Sequence, residues 1–550
     1  MAITGSPGII IQEEDLSSFV AADSVTTAAF AGDFDWGPVN ELMTVSSESN
    51  LIQIYGYPND RNYKDWFCAR NYTNYSTMLK VNRVVGEGSV NACDEDGVPF
   101  VINNSSEYEF NKGDIIKTGA RVFARYPGEF GNNIRVCIIN ASAFKKQKDA
   151  LEDGSLTADK KNPVSNYISD HMGKNEIAVG VWVNGTIKEY GVYSTVEGST
   201  DVSGYENYVF KYFNNNSNYI YLVKENFVLD GEINLELSLT GGVSEEITLK
   251  DRQNAWDLIK GADEDDIQLL FQGGCSDDKI TTAIGTYIED IAATRKDCIA
   301  CISPLLSEVV NVYHPVKKII EGSAASYSNS VIALDINGIN LGKSYSYMDG
   351  NYKYQYDRYN DVYRWVPLNG DIAGLFAYID DAENPWMSIG GKAIKDCVKL
   401  AFNPSKAERD ELFANNVNPV CHFKEEGNVV WGDWTRINET SFNFVGVRRC
   451  FLYMEKAIKS YARKVMWKQN DEITETTFRQ IVEPFLTQVQ GGRGISDFKV
   501  YLGNAVSTPD ERDRGIFKAK ILVKPVRSIR YVWLIFSAVR SDINIEEVVE

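Results

Sequence analysis

The sequence predicts a mixed α+β and α/β chain of several domains, and three observations support that fold class. The chain has 550 residues, and because a single hydrophobic core rarely serves so many, length alone indicates about three or four domains. Helix and strand patterns alternate over residues 251–440, which is typical of βαβ units and a mainly parallel sheet. Residues 96–250 carry short strand patterns between turn residues, and two amphipathic helices followed by strands occupy residues 441–540.

These changes along the chain predict six segments. A β-rich domain is inserted before the α/β domain, and a C-terminal domain of two helices plus a small sheet follows, with extended N- and C-terminal arms. The segments are an N-terminal arm (1–20), a small α+β unit (21–95), a β-rich domain expected to be all-β (96–250), an α/β domain (251–440), the C-terminal domain (441–540) and a C-terminal arm (541–550).

Both arms contain a β-prone run without a local partner. The N-terminal run follows the helix-breaking residues 5–8, and the C-terminal run lies beyond the last element expected to pack. An isolated strand needs a sheet edge supplied from elsewhere. The residues of the two runs are Ile9, Ile10, Ile11, Gln12 and Glu13, and Ile543, Asn544, Ile545, Glu546 and Val548.

Individual elements are predicted most clearly in the second half of the chain. In the α/β domain we expect helices near 255–260 and 279–294, with strands at 267–271, 298–302 and 331–334. In the C-terminal domain we expect two helices and then strands at 516–524 and 529–539. Apolar residues spaced by threes and fours place one stripe along the first of these helices: Phe444, Val447, Phe451, Met454, Ile458, Tyr461 and Val465.

Composition and charge exclude several classes of protein. The formal net charge of −20 argues against nucleic-acid binding, because affinity for a phosphate backbone comes from many Lys and Arg contacts. Nine scattered cysteines argue against a disulfide framework and favour assembly in a reducing cytoplasm. Residues 1–20 show no secretion signal, and no apolar run approaches the ~20 residues of a membrane span.

The charge is unevenly distributed along the chain. Residues 441–550 contain 18 Lys plus Arg against 13 Asp plus Glu, which leaves 38 against 63 for residues 1–440. The C-terminal domain is therefore basic, while the rest of the chain is strongly acidic.

Two motifs invite a chemical interpretation, and each has a stronger structural one. Gly338 and Gly342 precede Lys343-Ser344 as in a phosphate-binding loop, but a Walker loop needs four residues between its glycines and here there are three. A turn is favoured. Cys298 and Cys301, with Cys421-His422, have the residue types of a zinc site. Cys298 and Cys301 lie in a predicted apolar strand, however, which favours core thiols.

Other signs of catalysis are weak. The chain has three histidines, none of them in a nucleophile motif, and the paired acids 380–381 and 425–426 are interpreted as solvated loops. The tyrosine-rich residues 345–365 are capable of stacking on sugars or bases, but an exposed loop or subunit contact is favoured. We therefore expect no enzymatic activity, no catalytic or metal site and no cofactor.

Short motifs along most of the chain resemble, in order, the contractile tail sheath proteins of myovirus-type bacteriophages. The similarity is weakest over 96–250, apart from the turn at 126–128. The motifs are Ser6-Pro7-Gly8-Ile9 with Glu13, residues 26–32, Trp36-Gly37-Pro38, Tyr55-Gly56-Tyr57-Pro58, residues 124–134, residues 366–374 with Pro385-Trp386, residues 429–436 with Val447-Arg448-Arg449, and Asn470-Asp471.

The resemblance implies a structural subunit of the virion tail, assembled in the host bacterial cytoplasm. It implies hexameric rings stacked in a helical lattice around a tail tube, attached to a baseplate and to terminator or neck proteins, without nucleic acid and without insertion into a membrane. It also implies contraction that drives the tube through the host envelope during genome ejection. The two arms would exchange strands with neighbouring subunits, and residues 96–250 would protrude outward.

The resemblance and the charge asymmetry together motivate a hypothesis about the inner surface. A basic layer of the C-terminal domain would face an acidic tube or neighbour, through salt-sensitive contacts. Its candidate residues are Lys459, Arg463, Lys464, Lys518, Lys520 and Lys524.

Three alternatives stay open at this point. One is the sheath of a headless contractile injection particle, which the motifs do not separate from a phage tail. Another is a host-binding or carbohydrate-binding tail protein, which would explain the tyrosine-rich loop but would not need two strand-forming arms. A metal-dependent hydrolase would need ligands that converge in the fold.

Overall fold

A computed structural model describes residues 26–157, 160–168, 172–262, 265–327, 340–438 and 440–531. Both predicted arms, and the predicted strand at 331–334, lie outside the described residues. Among the helices of these ranges, none has the length and apolar character that a membrane crossing requires.

The strands of the described residues are numbered in chain order. They are β1 (Thr27–Asp33), β2 (Met43–Val45), β3 (Leu79–Val84), β4 (Val122–Ala124), β5 (Ile134–Asn140), β6 (Glu176–Val183), β7 (Thr186–Ser194), β8 (Ile220–Leu222), β9 (Asn234–Ser238), β10 (Ile267–Phe271), β11 (Ile299–Ile302), β12 (Ser346–Met348), β13 (Tyr352–Asp357), β14 (Val362–Pro367), β15 (Lys399–Leu400), β16 (Val420–Phe423), β17 (Gly427–Val430), β18 (Ile495–Leu502) and β19 (Ala519–Pro525).

The α-helices are numbered in the same way. They are α1 (Glu48–Tyr55), α2 (Tyr63–Thr73), α3 (Ser105–Phe110), α4 (Lys112–Lys117), α5 (Ala141–Glu152), α6 (Val209–Asn216), α7 (Leu249–Gly261), α8 (Asp278–Arg295), α9 (Leu306–Val309), α10 (Pro315–Ile319), α11 (Asn369–Ala382), α12 (Lys406–Ala414), α13 (Val445–Val465), α14 (Glu472–Gly491) and α15 (Pro509–Asp513).

The largest sheet has six strands in the order β12-β11-β10-β1-β3-β2. Neighbouring strands are parallel, except that β2 is antiparallel to β3. Every residue of β1 is buried, as expected for a parallel sheet covered on both faces. The prediction of a mainly parallel sheet is confirmed.

The same sheet corrects the prediction of a separate small unit at 21–95. Strands β1 and β3 come from that segment, but β1 also pairs with β10, where Thr27 lies beside Ile267. Residues of both segments share one hydrophobic core. Pairing between strands so far apart in sequence leaves no local sequence pattern. Sequence composition therefore predicted two separate units, whereas in the fold both contribute strands to one sheet.

Two pairs of helices cover this sheet. Helices α2 and α11 pack together and against β1, while α7 and α8 pack together and against β1 and β11 respectively. A Cβ atom at Gly370 on α11 would lie 2.3 Å from the carbonyl oxygen of Cys68 on α2. The close approach of these two helices therefore requires glycine at this position.

Residues 96–250 form an antiparallel sheet, β7-β6-β5-β9, and a separate β4–β8 pair. The expectation of an all-β domain is wrong, because α3, α4, α5 and α6 lie in this segment. Two asparagines of this segment cap helices. The side chains of Asn104 and Asn140 accept hydrogen bonds from the backbone N–H of Glu107 and Ala143, at the starts of α3 and α5.

The C-terminal domain contains the two predicted helices, packed on the antiparallel hairpin β18–β19. Val447, Met454 and Tyr461 of the predicted stripe are buried on α13. Strand β18 was not predicted. Of the strand predicted at 529–539, residues 529–531 are not in a strand, and the remainder lies outside the described residues.

Candidate functional surfaces

The C-terminal sheet offers open edges. Strands β18 and β19 pair only with each other within the described part of the chain. Each strand therefore presents a second edge whose backbone N–H and C=O groups have no strand partner among the described residues. Such an edge is a template for an added strand. Both arms that we expect to supply strands lie outside the described residues.

The six basic candidates are all exposed, but on two elements. Lys459, Arg463 and Lys464 lie on the C-terminal half of α13. Lys520 and Lys524 lie on β19, and Lys518 directly precedes it. Among the described residues Lys518 alone of the six forms an ion pair, with Glu511. Five exposed cationic side chains thus keep their charge available for a partner.

An open cavity of about 400 Å³ lies where α13 ends. Its lining includes Val465, Met466, Trp467 and Phe517, so it joins the end of α13 to the chain just before β19. The Trp467 side chain is 97% exposed and has a φ of 69°, in the left-handed region that is uncommon for a bulky residue. Exposed apolar groups that cluster in this way are typical of interaction sites.

The tyrosine-rich segment includes the β13–β14 hairpin, which buries polar side chains and exposes aromatic ones. Its polar residues Lys353, Gln355 and Asp357 are buried, while Tyr356 and Tyr363 are exposed. The Nζ atom of Lys353 donates to Asp371 at 2.9 Å, and both side chains are fully buried. The hairpin is therefore held by a buried ion pair and presents aromatic rings outward.

Two buried arginines, Arg436 and Arg449, form ion pairs with distant helices, and the Arg449 pair joins the C-terminal domain to the rest of the fold. Arg449 on α13 forms an ion pair with Asp380 on α11, and Thr26 donates to the same carboxylate oxygen at 2.5 Å. Arg436 belongs to the α/β domain, in the loop between β17 and α13, and its Nη1 atom lies 2.6 Å from Oε1 of Glu289 on α8. A buried ion pair resists separation, because removal of one partner leaves an uncompensated charge.

We did not predict these contacts, and the interpretation of Asp380 as part of a solvated loop is wrong, because its side chain is buried on α11 against Arg449. Arg436 and Arg449 belong to motifs that carried the resemblance, but a buried arginine has no local signature when its partner lies on a distant helix. Nothing in the spacing of the motifs identified Glu289 or Asp380 as that partner.

The motifs considered for chemistry have structural roles. Cys298 and Cys301 are fully buried, and burial raises the pKa of both thiols well above the ordinary value. The interpretation as core thiols is confirmed. Gly342 and Lys343 lie in a short 3₁₀ turn that leads into β12, so the turn interpretation is confirmed for these two residues, and residues 336–339 lie outside the described part. Within the described residues no cluster of three His, Cys, Asp or Glu is placed to hold a metal ion.

Two family models match the chain. The phage tail sheath protein central domain matches residues 245–436, and the phage tail sheath C-terminal domain matches residues 438–538. Together the two matches cover more than half of the 550 residues. The boundary between them falls in the loop that joins β17 to α13.

Known proteins are similar over nearly the full length. The tail sheath protein of Vibrio phage KVP40 is 28% identical over 99% of each chain, and that of Enterobacteria phage T4 is 27% identical over 98% of each. The helical sheath of the anti-feeding prophage in its contracted state is 12% identical, with a TM-score of 0.52 over 97% of this chain and 99% of that one. On the two family models and the similarity to phage sheath proteins, the chain belongs to the phage tail sheath family, the structural proteins of contractile phage tails.

Proposed function

We propose that this chain polymerises as stacked hexameric rings around a tail tube and contracts to drive the tube through the host envelope during genome ejection. The observation that carries the proposal is the similarity to phage tail sheath proteins over 98–99% of each chain. The proposed partners are further copies of the chain, the tube protein, a baseplate and terminator or neck proteins. The proposed role is structural, with no enzymatic step.

Strand exchange by the two arms is the proposed link between subunits. The open edges of the β18–β19 hairpin are the proposed acceptors for residues 9–13 and 543–548 of neighbouring copies. An added strand contributes main-chain hydrogen bonds without a large rigid interface. Subunits joined in this way are free to rotate against one another while their links persist.

Contraction is proposed to draw on a difference between two packings of the same folded domains. An extended lattice assembled on the tube is held in place until the baseplate releases it, and it then moves to a more stable arrangement. The free energy comes from contacts between subunits, summed over many copies, so no nucleotide is required.

The exposed cations of α13 and β19 are proposed to face the tube or a neighbouring subunit. Support comes from their exposure and from the excess of positive charge over residues 441–550. Contacts of this kind are weakened by salt, since the Debye length is about 8 Å at physiological ionic strength.

A phage tail is favoured over a headless particle by sequence identity. The phage tail sheath proteins are 27–28% identical over 98–99% of each chain. Reconstitution with a tube protein from either kind of particle distinguishes the two, because assembly with the phage tube alone is expected.

Polymerisation of the purified full-length chain tests the proposal. Sedimentation and negative-stain electron microscopy are expected to show long striated tubes, with the assembled fraction rising above a critical concentration. A chain that stays monodisperse at every concentration, with and without tube protein, would contradict it.

Charge reversal tests the basic surface. Lys459→Glu, Arg463→Glu and Lys464→Glu in one chain are expected to weaken assembly on tubes, most strongly at low salt. Lys145→Glu, Lys174→Glu and Lys188→Glu in one chain, at exposed positions of the β-rich domain, are the control with the same change of charge. Equal assembly of the Lys459, Arg463 and Lys464 variant and of the native chain across salt concentrations would contradict the proposed electrostatic contact.

A further inference from the structure

The chain leaves the C-terminal sheet through residues 526–531, which return to the loop between the two family domains. The N–H of Val526 donates to the carbonyl of Gly494 at 3.1 Å, next to the start of β18. Two residues later, the hydroxyl of Ser528 donates to the carboxylate of Asp433. This segment therefore links the end of β19 to residues that precede α13.

Arg530 makes the most extensive contact of this segment. Its Nε donates to Asp433 Oδ1 at 2.8 Å. Its guanidinium lies 3.7 Å from the ring centroid of Trp434 and 3.3 Å from that of Phe444. The two rings are nearly parallel, with an interplanar angle of 14°, so the guanidinium is enclosed by an aromatic face on each side.

The aromatic pair belongs to a loop that is itself closed by backbone hydrogen bonds. The N–H of Val445 donates to the carbonyl of Asp433 at 2.9 Å, and that of Thr435 donates to Asn443 at 3.1 Å. Asp433 lies at the end of the central-domain match, and Phe444 directly precedes α13 in the C-terminal match. Arg530 thus connects the end of the C-terminal domain to the loop at the boundary between the two domains.

The position of Arg530 matters for how force enters the fold. Residues 541–550 are the proposed C-terminal arm, and Arg530 precedes them by only eleven positions. A pull on the end of a hairpin strand breaks its hydrogen bonds one at a time. An anchor between the arm and β19 prevents this, because the load reaches the anchor before it reaches the strand.

We propose that Arg530 is the anchor that fixes residues 526–531 to the loop between β17 and α13, through Asp433 and the Trp434–Phe444 ring pair. Load from the arm then enters the central domain instead of peeling β19 from β18. The transmission of load through Arg530 rests on the proposed strand exchange, whereas the anchoring of residues 526–531 does not.

Hydrogen exchange of the full-length chain tests the anchor directly. In Arg530→Ala, exchange at the Val526 amide and along β19 is expected to rise at least about tenfold, because a desolvated cation–π contact and an ion pair are both lost. Arg530→Lys retains the charge but not the planar group, so it is expected to give a smaller increase. Unchanged exchange in β10 shows that the variants are folded.

Arg527→Ala is the matched control. Arg527 lies on the same segment, 5.4 Å from the same Phe444 ring, and is exposed. Its loss is expected to change exchange at Val526 by less than about twofold. Equal effects of Arg527→Ala and Arg530→Ala, or no effect of Arg530→Ala and Arg530→Lys, would overturn the anchor.

The breakage of assembled sheaths under shear tests whether Arg530 carries load from the arm. Arg530→Ala sheaths are expected to break into short pieces under shear at least about tenfold faster than Arg527→Ala sheaths, if the loss of local protection is transmitted to the arm. Shear survival equal to the control would refute the load path. If the native chain forms no sheath at all, the proposed function fails, while the exchange result still decides whether Arg530 is an anchor.

Discussion

The substitution Asp349→Asn is expected to remove a pH dependence from the stability of the central sheet. Asp349 directly follows β12 and is fully buried. Its carboxylate accepts hydrogen bonds from the Ser303 hydroxyl at 2.5 Å and from the Asn351 N–H at 3.2 Å. Burial outweighs these bonds and raises the pKa of Asp349 from 3.8 to about 7.

The sign and magnitude follow from linkage. Between pH 4 and pH 7 the unfolded chain carries an ionised Asp349 and the folded chain a protonated one. The folded state therefore binds more protons, and stability falls as pH rises through this window. The difference between 3.8 and about 7 corresponds to on the order of 4 kcal/mol at pH 8. Asparagine has nearly the same shape and carries no charge, so it avoids this cost.

Urea denaturation of the native chain and of Asp349→Asn at several pH values provides the assay. The variant is expected to be the more stable protein at pH 8 by several kcal/mol, less about 1 kcal/mol for an altered hydrogen bond. At pH 4 the two chains are expected to be nearly equal. The reasoning is refuted if the difference between the two chains stays constant from pH 4 to pH 8.

Three other substitutions give separate expected outcomes. Gly370→Ala places a Cβ 2.3 Å from the Cys68 carbonyl oxygen and is expected to destabilise the fold by about 1–3 kcal/mol, whereas Gly113→Ala meets no atom within 4 Å and is expected to cost nothing in thermal unfolding. Arg449→Met leaves the buried Asp380 unpaired and is expected to cost about 3–5 kcal/mol; a double-mutant cycle with Asp380→Asn should recover part of that loss, and strict additivity of the two changes would argue against a coupled pair. Trp467→Gly replaces a bulky residue at a left-handed φ of 69° with one that adopts this φ without strain, and is expected to stabilise the isolated chain by about 1 kcal/mol. The same change is expected to weaken sheath polymerisation in sedimentation assays if the exposed ring is a subunit contact.

Elements with a regular apolar period were predictable from sequence. The predicted strand at 267–271 coincides with β10, and the predicted helix at 279–294 is one residue shorter at each end than α8. The stripe on α13 was predicted because apolar side chains on one face of a helix recur every three or four residues, and Val447, Met454 and Tyr461 of the stripe are buried.

Contacts between distant parts of the chain were not predictable in the same way. The pairing of β1 with β10 depends on tertiary packing alone, and the hydrophobic run of β1 fits any buried strand equally well. The buried arginines, Arg436 and Arg449, differ from surface arginines only in their surroundings. Of the predicted site, the six basic residues are exposed as expected, while strand exchange by the arms stays a prediction.

Removal of the arms tests the central claim most directly. The full-length chain, and a chain lacking residues 1–20 and 541–550, are purified and compared by negative-stain electron microscopy, with circular dichroism as a check that both are folded. Striated hollow tubes from the full-length chain alone are the expected result, since strand exchange would link the subunits. Monodisperse particles from both chains would contradict polymerisation, and tubes from both would contradict linkage by the arms.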